Sequence, residues 1–316
     1  MMRVTVIVLL AAIFLLGPLP ALFGWILVFG RHHESTMAEF HAEGTYYEPY
    51  DAEMKAAEAR LLGDPSLRKA ETVSEDGIHL CAEYIPGKGE RAVIFVHGFT
   101  ASPTKNFGVV AESYRAAGYD ILLTHLRCQG PSGGRHNALG AAEWRDVLAW
   151  VKWCGENLPC RDLVLHGASM GATAVGLAAG HLKNSPVKAL VIDSGFISPW
   201  YQLRQQGRRC HVPTILTLPM LNVMVRSATG ADLRSSLPDT LRGTDIPVIF
   251  VHGTEDSTVP LSQGRTNYDS CGSEKQFLEV EGAEHTLALI AGGEKARRQV
   301  LDFVDRQITD DGNRKN

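Results

Sequence analysis

The chain has 316 residues, of which 45% are hydrophobic and 21% are charged, enough apolar material to bury one large core. Its formal net charge is −4, so it lacks the basic footprint of a nucleic-acid-binding protein. The sequence has no His-Glu-x-x-His motif, no Cys-x-x-Cys pair and no phosphate-binding glycine loop, and we therefore expect no metal or nucleotide cofactor.

The N-terminal residues form an apolar segment of their own. Residues 4–30 carry no charge between Arg3 and Arg31, and about 27 helical residues at 1.5 Å each would span a bilayer. We expect residues 1–33 to be an uncleaved signal-anchor with one transmembrane helix. The alternative is a cleaved signal peptide, which would leave an apolar segment on the mature chain. The short N-terminal tail favours a single-pass protein of the cell membrane with an extracytoplasmic catalytic domain.

A polar stretch separates this segment from the rest of the chain. Residues 34–70 have helical spacing, most clearly at residues 51–60, and are predicted to be a linker or docking helix. Beyond them, apolar runs typical of buried strands alternate with helical patterns, which predicts an α/β fold with a mostly parallel sheet. We assign the core to residues 71–194 and 245–310, and we expect residues 311–316 to form a disordered tail.

Two of the predicted strands carry the same six residues. Residues 93–98 and 248–253 both read Val-Ile-Phe-Val-His-Gly, an unbroken apolar run that ends in glycine. Ligands of open parallel sheets bind beyond the carboxyl ends of the strands, so the residues that follow these glycines should lie close together. The histidines of both runs, and His166, are expected to be structural.

The most informative motif is Gly-x-Ser-x-Gly at residues 167–171. An apolar run precedes it, and small residues follow at helical spacing. A sharp turn from strand to helix exposes a serine hydroxyl beside a base, and such a turn needs glycine or very small flanking residues. We predict that Ser169 is a nucleophile and that the backbone amides of Phe99 and Met170 form an oxyanion hole.

An acid and a histidine come later in the chain. Asp256 and His285 each lie in the loop after a predicted strand. In a Ser-His-Asp triad the imidazole takes the serine proton, and the carboxylate orients the imidazole. We therefore assign Asp256 and His285 to these catalytic roles. Glu255, beside Asp256, and Asp193, at the end of an earlier strand, remain alternative acids.

The order of these motifs resembles that of the α/β-hydrolases over residues 72–309. Residues 97–100 resemble the oxyanion strand end, 167–171 the nucleophile elbow, 253–260 the acid loop and 282–285 the histidine loop. The chain is most similar to bacterial membrane-anchored hydrolases of the prolyl-oligopeptidase-like and esterase-like groups. The resemblance implies a cofactor-free serine hydrolase that cleaves carboxylic ester or related acyl bonds of a small molecule through an acyl-enzyme. A peptidase or amidase, an acyltransferase and a non-catalytic membrane binding protein are the alternatives.

Two segments bear on the shape of the expected site. Residues 195–244 interrupt the strand–helix alternation where relatives insert a helical cap, and we expect a cap that bounds an apolar acyl pocket. A pair of ordinary amphipathic helices is the alternative. Residues 125–132 read His-Leu-Arg-Cys-Gln-Gly-Pro-Ser where many relatives carry Asp-x-Arg-Gly-His-Gly-x-Ser. This departure affects pocket geometry more than catalysis.

The six cysteines leave two possibilities open. An extracytoplasmic domain could pair them, for example Cys154 with Cys160, which are close in the sequence. Buried free thiols are equally compatible with the sequence, because a domain of this size needs no disulfide for stability.

Overall fold

A computed structural model describes residue 15 and residues 17–30, 45–88 and 90–314. Eight strands form one sheet in the order β1-β2-β4-β3-β5-β6-β7-β8. The pairs β1/β2 and β2/β4 are antiparallel, and the other neighbouring pairs are parallel, as the sequence predicted. The strands are β1 (Arg68–Val73), β2 (His79–Ile85), β3 (Arg91–Val96), β4 (Asp120–Thr124), β5 (Asp162–Ala168), β6 (Val187–Asp193), β7 (Val248–Gly253) and β8 (Lys275–Val280).

Helices connect the strands and cover both faces of the sheet. Successive residues of β3 point to opposite faces, so Ile94 packs in one core cluster with Trp150, and Phe95 packs in a second with Phe107 and Phe303. Burial on both faces explains why the central strands are apolar throughout. The helices are α1 (Pro18–Gly24), α2 (Glu48–Leu62), α3 (Pro103–Ala116), α4 (Trp144–Asn157), α5 (Met170–Ala178), α6 (Pro199–Arg209), α7 (Thr214–Thr229), α8 (Leu237–Arg242), α9 (Leu261–Ser270), α10 (Ala288–Ala291) and α11 (Gly293–Arg314), with a π-helical turn at Trp25–Phe29 and a 3₁₀ turn at Ala179–His181.

The predicted transmembrane helix is only partly within the described residues, since residues 4–14 and 16 lie outside them. No helix among the described residues is long and apolar enough to cross a bilayer. Residues 17–30, which are described, contain helix α1 from Pro18 onward and pack on the domain. The Asn137 backbone amide donates to Phe29 O at 3.1 Å, and its side-chain Nδ2 donates to Val28 O at 2.9 Å. The Trp25 ring lies 4.5 Å from that of His136.

Helix α2, predicted as part of a linker or docking helix, packs against helix α3. Its Met54, Ala57 and Leu61 are buried. The two helices approach closely at Gly108, where a Cβ would stand 3.1 Å from the backbone nitrogen of Glu58. On the outside, Arg60 donates to both carboxylate oxygens of Glu112. Residues 48–62 are therefore part of the folded domain rather than a spacer.

Three further predicted features lie wholly or partly within the described residues. The segment 195–244 contains the helices α6, α7 and α8 between β6 and β7. Helix α11 runs to Arg314, four residues into the tail at 311–316 that was predicted to be disordered. All six cysteines are free thiols, including the pair Cys154 and Cys160.

The loop after β4 is fastened by a buried arginine. Arg127 is 3% exposed, and its Nη2 donates to Asp146 Oδ1 at 2.6 Å while Nη1 donates to Asp76 Oδ2 at 2.6 Å. Its backbone amide also donates to Asp146. Cys128, at the position where relatives have glycine, takes a left-handed backbone with φ +65°. The hydrogen bonds of Arg127 therefore hold the loop in a conformation in which Cys128 has a positive φ, which a cysteine disfavours.

We expect Asp146→Ala to lower the free energy of unfolding by about 3 kcal/mol, because it leaves the buried Arg127 short of its main partner. Urea unfolding measures the change. The control is Lys152→Ala on the same helix, whose exposed pair with Glu156 should contribute less than about 0.5 kcal/mol. Equal losses in the two variants would contradict the structural role of Arg127.

Candidate active site

The turn from β5 to α5 places Ser169 in a strained backbone conformation. Its φ is +53° and its ψ is −115°, outside the regions that L-residues usually adopt. A Cβ on Gly171 would overlap the backbone carbonyls of Val96 and His97, and one on Gly167 would stand 2.5 Å from Gly171 O. Both glycines of the motif are therefore required by close backbone approach, and this turn holds the serine clear of its neighbours.

His285 connects the serine to a carboxylate. Its Nε2 lies 2.8 Å from Ser169 Oγ, and its Nδ1 lies 2.7 Å from Asp256 Oδ2. The carboxylate can only accept, so Nδ1 carries the proton and Nε2 is left to accept from the serine hydroxyl. His285 is 6% exposed and lies in the loop after β8. The structure thus brings together the three residues that the sequence assigned to proton transfer.

The Asp256 carboxylate is buried and surrounded by donors. Its Oδ1 accepts from the backbone amides of Thr258 and Val259 at 2.9 and 2.7 Å. His252 Nε2 donates to Val259 O at 2.8 Å and lies 3.3 Å from Asp256 Oδ2. Burial opposes ionisation, but the hydrogen bonds from His252 and His285 outweigh it and hold the pKa of Asp256 well below its usual range. The carboxylate is therefore charged at neutral pH.

The two alternative acids lie elsewhere. Asp193 is buried and bonded to the Ser194 hydroxyl at 3.0 Å, and burial raises its pKa to about 6. Its backbone oxygen accepts from the Ser169 amide at 2.8 Å, so it supports the elbow rather than the imidazole. Glu255 is exposed. Of the three candidates, Asp256 has the side chain bonded to His285.

The two predicted oxyanion donors lie on either side of the serine. Met170 is the first residue of α5, where a backbone amide has no partner within its own helix. Phe99 follows β3, and the neighbouring Gly98 is so close that its Cβ would stand 3.4 Å from Ser169 Cβ. Both amides belong to segments that meet at the nucleophile. Their role as donors to an oxyanion stays a prediction.

A neutral histidine positions the loop that contains Phe99. His97 Nε2 accepts from the Leu126 amide at 3.1 Å, so its proton is on Nδ1, which donates to Gly98 O at 2.7 Å. Burial lowers the pKa of His97 to about 3, so the ring is neutral under ordinary conditions. His97 therefore ties the end of β3 to the loop after β4 without adding charge to the site.

The serine opens into a cavity of about 210 Å³. The loop after β3 forms one wall, and Tyr46, Tyr47 and Met54 from the N-terminal part of the chain contribute another. Thr286 Oγ1 gives its proton to His285 O at 2.7 Å, so the Tyr47 hydroxyl donates to Thr286 Oγ1 at 3.2 Å. Burial raises the pKa of Tyr47 far above its usual value, which keeps this donor protonated.

The segment 195–244 does not line this cavity, and the predicted acyl-pocket role of the cap is not what the structure shows. None of its residues is among those that line the cavity next to Ser169. Helix α6 instead braces the acid loop: Gln202 and Gln206 both donate to Thr258 O, at 2.9 and 3.1 Å. Three side chains of α7 were expected to contact an acyl chain: Leu216, Leu218 and Met220. Leu216 and Met220 are 42% and 38% exposed, and Leu218 is buried in the core.

The sheet order, the elbow after β5 and the acid and histidine loops after β7 and β8 are those of an α/β-hydrolase fold. A family model described as the alpha/beta hydrolase fold matches residues 91–209. The esterase Pf2001 of Pyrococcus furiosus superimposes with a TM-score of 0.62 at 22% identity, covering 78% of this chain and 93% of that one. The chain therefore has the α/β-hydrolase fold, and the narrower likeness to prolyl-oligopeptidase-like proteins stays a prediction.

Two sequence relatives have similarly low identity. The chain is 24% identical to the uncharacterized protein YqkD of Bacillus subtilis over 235 residues, which is 72% of this chain and 74% of that protein. It is 21% identical to the lysophosphatidylserine lipase ABHD12 of Danio rerio over 190 residues, 58% of this chain and 48% of the lipase. The chain thus spans about half of that lipase.

The pocket residues of the N-terminal part are the ones that sequence reasoning missed. Tyr46 and Tyr47 lie in a stretch that was predicted to be a linker, with no strand or motif beside them. Their rings pack 4.5 Å apart, and the Tyr47 hydroxyl bonds Thr286, the residue after His285. The sequence does show two adjacent tyrosines before a polar helix. This pattern does not indicate which part of the domain the tyrosines contact.

We expect Asp256→Asn to lower kcat by about 10⁴, because the amide would favour the wrong imidazole tautomer. The matched variant is Asp193→Asn, a buried carboxylate in the same region, which should change kcat by less than about tenfold. Steady-state hydrolysis of an acyl ester gives both values. The reverse order of effects would assign the acid to Asp193.

Proposed function

We propose that this protein is a serine hydrolase that cleaves carboxylic esters. The observation that carries the proposal is the continuous chain of hydrogen bonds from Ser169 through His285 to an ionised Asp256. A serine that only stabilised a turn would need neither a left-handed backbone at a helix start nor an unprotonated imidazole nitrogen within 2.8 Å. All three groups border or support one cavity, so a bound acyl group would meet the hydroxyl.

The proposed reaction follows from the proton positions. Ser169 Oγ attacks the acyl carbon while its proton passes to His285 Nε2, and Asp256 stabilises the imidazolium that results. The amides of Phe99 and Met170 would bind the negative oxygen of the tetrahedral intermediate. His285 then protonates the leaving alcohol, and a water molecule, activated by the same nitrogen, hydrolyses the acyl-enzyme.

The cavity supports an ester with a small acyl group. Its volume of about 210 Å³ lies below the roughly 300–1,000 Å³ of typical drug-sized ligand sites. The solved structure of similar fold from Pyrococcus furiosus is an esterase, and one sequence relative is a lysophosphatidylserine lipase, which agrees with ester chemistry. Amide cleavage and acyl transfer use the same groups, and comparing esters with aminoacyl amides separates them.

We expect Ser169→Ala to abolish labelling by a fluorophosphonate and to lower kcat by about 10⁶, with the residual rate arising from the remaining site. The control is Ser102→Ala, a serine on the same cavity whose hydroxyl bonds Thr104 instead of a histidine, and this variant should still be labelled. Labelling is followed by intact-mass spectrometry, with circular dichroism to verify folding. Undiminished labelling of the Ser169 variant would remove this serine from its role.

Because Tyr46 forms part of the cavity wall, its size should limit the length of the acyl group that the cavity accepts. Tyr46→Ala should enlarge the cavity. It should therefore raise kcat/KM for butanoyl and hexanoyl esters relative to acetyl esters, by about fourfold for each methylene newly buried. Leu216→Ala is the comparison, since the cap interpretation places that side chain in the pocket while the structure places it on the surface. A changed chain-length profile in Leu216→Ala but not in Tyr46→Ala would restore the cap interpretation.

A further inference from the structure

The exposed apolar side chains are concentrated in one region. Nine of the twelve large apolar residues that are exposed in the described part of the chain lie on residues 15–26 and on α7. The two segments touch, with Leu221 Cδ2 3.9 Å from the place a Cβ on Gly24 would take. We call these nine side chains the apolar face: Leu15, Leu19, Leu22, Phe23, Ile26, Ile215, Leu216, Met220 and Val223.

Helix α7 is apolar on both sides, which is unusual for a helix at a water surface. Leu218, Leu221 and Val225 are 3%, 3% and 0% exposed and pack inward. On the outer side Ile215 and Val223 are 83% and 67% exposed. A helix that packs on a domain normally presents polar residues to water, so this outer side requires another explanation. Large exposed apolar patches commonly mark a binding surface.

The charged residues next to the apolar face in the sequence are mostly arginine, and the acid that follows α7, Asp232, pairs with Arg226 of that helix at 3.0 Å. Residues 194–231 contain four arginines and no aspartate or glutamate. Residues 4–33 likewise contain no acidic residue and one arginine, Arg31. Arg204 and Arg208 are exposed on α6, the helix that precedes α7. These exposed arginines complement a negatively charged surface, and they would repel a second copy of the chain placed symmetrically against them.

The composition of the face and the sequence before it both favour lipid. The outward side chains are mostly Leu, Ile and Val, whereas protein interfaces are enriched in Tyr, Trp and Arg at their centres. Residues 4–14, which precede the face directly, are uncharged and almost wholly apolar. The face is thus continuous in sequence with a segment that has the composition of the bilayer interior.

We propose that the apolar face inserts into the headgroup and upper acyl region of an anionic lipid bilayer, with the arginines of α6 at the phosphate level. In this arrangement α7 is a monotopic contact, so the helices between β6 and β7 serve attachment rather than acyl selection. The inference does not depend on the proposed hydrolase activity, because its evidence is the exposure and the charge of this surface.

The test is co-sedimentation of the full chain with vesicles. We expect wild type to bind vesicles of phosphatidylglycerol and phosphatidylcholine more tightly than phosphatidylcholine alone, with the difference falling as salt rises. Ile215→Asp with Val223→Asp should weaken binding by at least about tenfold, since two inserted aliphatic side chains are lost. The matched control is Leu62→Asp with Val73→Asp, two side chains that are 55% and 59% exposed but lie outside the face.

Three results would overturn the proposal. Wild type that leaves both kinds of vesicle unbound excludes lipid as the occupant. Equal binding by the α7 variant and wild type, with both folded by circular dichroism, means that residues 4–14 alone account for attachment. A change from dimer to monomer in the α7 variant, measured by light scattering without any change in lipid binding, assigns the face to a second copy of the chain.

Discussion

The geometry of the site depends on one ionised carboxylate that the fold buries completely. Taking a carboxylate out of water costs several kcal/mol unless donors replace the water. Asp256 recovers this cost through the amides of Thr258 and Val259 on one oxygen and through His285 and His252 on the other. These donors come from β7, from its loop and from the loop after β8, so they converge only when both strands are in register. The arrangement that supplies Asp256 with hydrogen-bond donors therefore also orients the His285 imidazole.

The central strands, the elbow glycines and the residues at the strand ends could be predicted from the sequence, because each follows from a local pattern. Unbroken apolar runs marked the central strands because both faces of the sheet are covered, and the strand order brought the residues after those runs to one edge. The glycines at 167 and 171 could be anticipated because close backbone approach excludes any other residue. The predicted contact of Ser169 with His285 followed from these rules, whereas the acid stayed open among Asp256, Glu255 and Asp193, and side-chain geometry favours Asp256.

The walls of the cavity could not be predicted in the same way. Leu216 and Leu218 are two residues apart on a helix with apolar residues on both its inner and outer sides, yet one is 42% exposed and the other 3%. Periodicity cannot choose between the sides of such a helix, because the choice is made by its neighbours α6 and α1. Tyr46 and Tyr47 line the cavity because α2, which follows them, docks on α3, and that contact requires the close approach at Gly108 far along the chain. Pocket shape is thus decided by packing between elements whose own patterns are uninformative.

The repeated hexapeptide shows how far environment outweighs local sequence. His97 and His252 end identical apolar runs, and both are almost fully buried. His97 has two backbone partners and no carboxylate, so burial lowers its pKa to about 3. For His252, burial also opposes the charge, but the hydrogen bond to Asp256 four residues later raises its pKa above the usual value. Within the same local sequence, His97 is therefore a neutral residue that hydrogen-bonds two backbone segments, whereas His252 stabilises the charge of Asp256. The nearby carboxylate accounts for the difference.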